Sequence, residues 1–144
     1  KEKVMETKKY ILKISPVIVG ILFLYTGLRK LWEGDLFYHT LLNSINIENQ
    51  LIIEGLSLGI PIVEIITSYT LLFYPKKNIG LYISLIVLIV YSGYLINLLF
   101  FQEEIPCTCR TILPLLGWYG HLYFTLSLFL FLIGLLQLRG LKIK

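Results

Sequence analysis

Four long apolar runs limit what this chain can fold into. They cover residues 11–28, 51–74, 79–101 and about 115–138. Crossing about 30 Å of hydrocarbon takes roughly 20 residues at about 1.5 Å per residue, so each run is close to long enough or longer. With the residues that extend them, the spans fall at about 11–32, 51–74, 79–101 and 114–138. These spans occupy most of the 144 residues, and only 15% of the chain is charged. That leaves too little sequence for a separate soluble domain. The predicted fold is all-α, a single membrane domain over residues 1–144 built as an integral membrane four-helix bundle. The first run reads as a retained helix and not a cleaved leader, because no small-residue cleavage site follows its core and "GLRKLW" continues directly from it.

Basic residues predict how the helices are threaded. Lys and Arg in short loops are retained on the cytoplasmic side. Ten of the 13 basic residues lie in three places: the amino-terminal flank (Lys1, Lys3, Lys8, Lys9, Lys13), the second turn (Lys76, Lys77) and the carboxyl tail (Arg139, Lys142, Lys144). Only Arg29, Lys30 and Arg110 fall in the other connections, among Glu33, Asp35, Glu48, Glu103 and Glu104. Both termini are therefore expected in the cytoplasm. On this reading the net charge of +4 reports topology and attraction to the lipid bilayer, with no nucleic-acid partner.

In the first outer connection, "DLFYHTLLNSINI" segregates apolar and polar residues loosely at helical spacing, with Asp35 as a plausible N-cap. It is expected to form a short extracytoplasmic interfacial helix. Tyr10, Trp32, Tyr74, Trp118 and Tyr119 gather near the ends of the runs, as interfacial anchors do.

The chain's only two cysteines, Cys107 and Cys109, stand one residue apart in "PCTCR". With both termini inside, this segment faces the oxidising side of a bacterial membrane. Extended residues at that spacing have Cα atoms roughly 6 to 7 Å apart, near the upper limit for a disulfide. A ring that small is strained and exchanges readily. Arg110 favours the thiolate, which is the attacking species. A loop this short removes little chain entropy, so the pair does not read as a structural staple. Two other readings stay open at this point. The cysteines can act as small hydrophobes, or Cys107, Cys109 and His121 can supply three ligands to zinc or copper, though no fourth ligand is evident and no metal site is assigned.

Among the remaining polar residues, Glu64 lies in the middle of the second run. An ionised carboxylate there is costly and is usually paired, protonated or functional. Arg29 and Lys30 are its candidate partners, with helix packing beside Pro61 and Gly59 as the alternative role. Asn97 and Gln137 are expected to hydrogen-bond between helices, and Gly20, Gly27, Gly55, Gly59, Gly93 and Gly134 to form close-packing surfaces. His121 reads either as a base for the thiols or as a headgroup-level histidine beside Trp118. His39 reads as interfacial, and Glu54 as solvated.

Several stretches together resemble the MauE/DoxX-type membrane proteins, a family named for the methylamine-utilisation protein MauE. The carboxyl-terminal half, "PCTCRTILPLLGWYGHLYFTLSLFLFLIGLL", is similar in its Pro-Cys-x-Cys at Pro106, Cys107 and Cys109, and in its Trp-x-x-His-Leu at Trp118, His121 and Leu122. "GILFLYTGLRKL" resembles the family's first helix, ending in Gly-x-x-Lys at Gly27 and Lys30, and "GIPIVEII" its Pro-x-x-Glu at Pro61 and Glu64. The chain departs from the pattern at Arg110 and Thr111, where members carry small residues, often glycine. The resemblance implies a four-helix membrane protein acting near thioredoxin-like proteins, in a setting where a disulfide-rich exported subunit matures.

The expected function is therefore that of a membrane thiol–disulfide redox component. Cys107 and Cys109 would exchange, His121 and Arg110 would tune them, Trp118 would support them, and Lys30 with Glu64 would organise the bundle. The partner is an extracytoplasmic thioredoxin-like or cysteine-containing protein. With one cysteine pair only, the chain either uses a bound quinone or forms half of a relay. The rival expectation is a non-enzymatic assembly subunit of a larger membrane or secretion complex.

Overall fold

A computed structural model describes residues 2–44, 49–101 and 117–140. Five helices follow in order: α1 (Glu2–Trp32), α2 (Gly34–Ser44), α3 (Gln50–Phe73), α4 (Ile79–Phe101) and α5 (Gly117–Gly140). All but α2 are long and apolar enough to cross a membrane. Large apolar side chains such as Ile18, Ile86, Val90, Phe100 and Leu130 are exposed on the outside of the bundle. In water they would be a liability, but a hydrocarbon surround makes them the lipid-facing surface of a multi-pass membrane protein.

The helices pack antiparallel. Gly20 lies against Leu71 and Leu72, and Gly27 against Pro61, Glu64 and Ile65, so α1 and α3 run in opposite senses. Leu81 and Leu88 of α4 cluster with Leu132 and Leu135 of α5, and Leu95 and Leu99 with Leu122. A methyl group added at Gly20 or Gly27 would come within 3.0 Å of its neighbour, so these two glycines permit the α1–α3 approach. Ser68 uses that proximity to donate a 2.7 Å hydrogen bond to the Gly20 carbonyl.

Several sequence expectations change here. Gly80 packs as tightly as Gly20, against Thr70 and Leu71, whereas Gly55, Gly59, Gly93 and Gly134 face open space among the described residues. Asn97 and Gln137 are exposed, and interhelical hydrogen bonds come from other residues, Ser68 among them. Asp35 lies inside the first turn of α2, which begins at Gly34. No separate cap is needed, because Phe37 N–H already donates to the Glu33 carbonyl and Glu33 N–H to that of Arg29, so α2 continues almost directly from α1. Its apolar face, Phe37 and Leu41, packs on Ile53 of α3.

One end of the bundle is clasped by Arg139, in the last turn of α5. Pro16 has no N–H to give the carbonyl of Leu12 one turn earlier. The Arg139 guanidinium supplies the missing donor at 3.1 Å, and also donates to Pro75 O at 2.7 Å and Asn78 Oδ1 at 3.2 Å. It thereby ties α1 to the turn between α3 and α4. Arg139→Met is expected to cost about 1 to 3 kcal/mol, because it removes charge-assisted hydrogen bonds to three part-buried acceptors. Adding Pro16→Ala should recover part of that loss, because alanine returns an N–H to Leu12. Thermal unfolding of the single and double variants in detergent would measure this, and purely additive effects would contradict the clasp.

Candidate functional site

Glu64 is the only buried acidic residue among the described residues, at 4% exposure, and it faces the bundle interior. Its Oε1 accepts from the ammonium of Lys30, which is itself 3% exposed. The α1 residues that pack inward explain the choice of partner. Gly20, Gly27 and Lys30 fall near one another around α1, whereas Arg29 points about 100° away from Lys30. Arg29 is left to pair with Glu33 one turn on, at 2.7 Å. Lys30 is further held between two aromatic faces, 5.0 Å from the Tyr91 centroid and 5.7 Å from that of Phe37. A charged pair this deep is tolerable because each ion compensates the other and neither meets lipid.

Beside the pair, a cavity of about 60 Å³ lies between α1, α3, α4 and α5. Its walls are apolar (Phe23, Leu88, Phe124 and Leu128 among them), and its polar contributors are Thr26, Lys30, Glu64, Tyr91, His121 and Thr125. His121 enters from the first turns of α5. Gly117 opens that helix at φ +62°, a left-handed conformation that glycine adopts without strain. The Gly117 carbonyl lies 2.7 Å from His121 Nδ1. A carbonyl only accepts, so the Nδ1–H donates, and in the neutral ring Nε2 is left with a lone pair. Two buried acceptors at this site have no hydrogen-bond partner among the described residues: Glu64 Oε2 and His121 Nε2.

The structure therefore brings together three of the residues singled out from sequence: Lys30, Glu64 and His121. Trp118 sits one turn before His121 and packs with Tyr91 and Tyr94 against Leu95, Leu99 and Leu122. It braces α4 against α5 and does not line the cavity. Cys107, Cys109 and Arg110 lie outside the described residues. Tyr91, Thr26 and Thr125 were missed. Helical periodicity alone could not have found them, since their common feature is a shared cavity and not a shared helix face.

The chain matches the family described as "Methylamine utilisation protein MauE" over residues 8–139, nearly its whole length, and it belongs to that family. No curated protein and no solved structure matches it.

Proposed function

We propose that this MauE-family membrane protein is a thiol–disulfide redox component that acts on an extracytoplasmic thioredoxin-like or cysteine-containing partner through Cys107 and Cys109. One observation carries the reading. The only two cysteines lie in the connection from α4 to α5, and the first turns of α5 carry His121, whose ring lines the same cavity as the Lys30–Glu64 pair. In this reading the end of the bundle clasped by Arg139 faces the cytoplasm of a bacterial inner membrane. It carries Lys13, Lys76 and Lys77 as well, which is the bias retained loops show. The thiol-bearing connection then faces outward.

The exchange balances as follows. A partner thiolate attacks one sulfur of the Cys107–Cys109 disulfide, and the other sulfur leaves as a thiolate. The partner's second thiolate then attacks the mixed disulfide. The partner departs oxidised, and the chain is left as a dithiol that has gained two electrons and takes up two protons. Arg110 stabilises the thiolate intermediate. A two-electron acceptor of the quinone class returns the dithiol to the disulfide. A quinone ring does not fit the internal cavity as it stands: about 60 Å³ is well below the roughly 150 Å³ of an apolar cavity that admits benzene.

Labelling of intact spheroplasts with a membrane-impermeant maleimide tests both orientation and redox state. Two labels per chain are expected after mild reduction, and fewer before it. Labelling only after permeabilisation would reverse the topology. Full labelling without reduction would remove the redox reading and leave the assembly subunit.

A further inference from the structure

Lys30 lines two cavities. On one side of it is the internal cavity with Glu64 and His121. On the other is a vestibule of about 410 Å³ between the α1–α2 corner and the start of α3, lined by Asp35, Tyr38, Glu54 and Ser57. Asp35 and Glu54 are exposed, so the vestibule is acidic, whereas the cavity beside Glu64 is lined mainly by apolar side chains. Lys30 is the residue common to both linings, and its ammonium rests on Glu64.

The size of the internal cavity and its unpartnered atoms indicate what it holds. One water needs about 10 to 15 Å³ of this kind of volume, so about 60 Å³ has room for a few. An apolar cavity of that size would stay dry. This one carries Glu64 Oε2 and His121 Nε2, both buried acceptors without a hydrogen-bond partner among the described residues. Water is the small donor that satisfies them, and the Thr26 and Thr125 hydroxyls lie along the same walls.

We propose that the internal cavity is a hydrated proton-exchange site, with Glu64 and His121 as its two proton-accepting ends and Lys30 as the movable side chain that separates it from the acidic vestibule. A proton arriving as hydronium binds Glu64 Oε2 or His121 Nε2 and leaves a neutral water; release is the reverse. Protonation of Glu64 removes the charge that holds Lys30, whose flexible stem then lets the ammonium turn toward Asp35 and Glu54. Protonation and opening are thus coupled through one side chain. Every described element packed around the site contributes to this balance: α1 gives Lys30, α3 gives Glu64 and Glu54, α4 gives Tyr91, α5 gives His121, and α2 gives Asp35 and Tyr38. The inference does not depend on the cysteines and survives if they prove inert.

Water-edited solid-state NMR of the chain in proteoliposomes, with labelled histidine and glutamate, tests it. The chain has two histidines, and His39 is exposed, so it serves as an internal reference for full hydration. Expected is water-to-protein transfer to Glu64 and His121 approaching that of His39. Ser57→Phe, which fills the vestibule without touching the internal cavity, should slow transfer to both severalfold and leave His39 unchanged. A dry Glu64 and His121 would overturn the site. Full transfer that Ser57→Phe does not alter would overturn the vestibule as its entrance.

Discussion

Glu64→Gln and Lys30→Gln are each expected to lower stability by about 3 to 5 kcal/mol, the range for removing one partner of a buried ion pair. Glu64 has no ready substitute for Lys30, because the adjacent cation on α1, Arg29, is engaged with Glu33. Lys30→Glu should be worse than Lys30→Gln, because it adds a second carboxylate beside Glu64 where neutralisation only removes attraction. The informative variant is the double replacement Lys30→Met with Glu64→Leu. With both charges gone, the desolvation cost disappears along with the attraction, and the pair becomes ordinary apolar packing against Tyr91 and Phe37. The double variant should therefore be more stable than either single, and should lose the proton-exchange behaviour of the cavity. Thermal unfolding in detergent and steady-state accumulation in the membrane would both report it. Singles costing under about 1 kcal/mol, or a double as damaging as the sum, would show that the two side chains do not depend on one another.

The contrast between Lys30 and Arg29 shows what the sequence could and could not disclose. Glu64 stands out because a carboxylate in the middle of an apolar run demands compensation. The choice of partner requires the rotational phase of α1 against α3, which is set by packing. A signal was nevertheless present: Gly20, Gly27 and Lys30 lie on one side of the helix, and the two glycines mark the side of closest approach. The four spans were legible because hydrocarbon thickness fixes their length, and α2 because its apolar residues recur at helical spacing. The Arg139 clasp was hidden behind a stronger regularity. Arg139 counted toward the positive charge of one end, while the acceptor it satisfies is created by Pro16, more than a hundred residues earlier. The cavity was equally out of reach, since it takes one or more residues from each of four helices and none of these faces is periodic in a distinctive way.

The redox reading rests on a motif of five residues, and covalent trapping tests it most directly. Exchange proceeds through a mixed disulfide on one cysteine. The partner's thiolate attacks that sulfur in the forward step, and the same cysteine itself attacks the oxidised partner in the reverse step. The other cysteine is the leaving thiolate that resolves the adduct. Removing the resolving cysteine should freeze the partner on the chain, while removing both should abolish the adduct entirely. Cys107 is the expected attacking residue, because it lies farther along the connection from α5, which makes Cys109→Ser the trapping variant. Cells carrying Cys107→Ser, Cys109→Ser or both, quenched with an alkylating agent and run on a non-reducing gel, would show this. The account predicts a reductant-sensitive band of higher mass in one single variant, weaker or absent in the other, and absent in the double. Two permanently reduced thiols, no adduct in any variant, and an unimpaired double variant would contradict it.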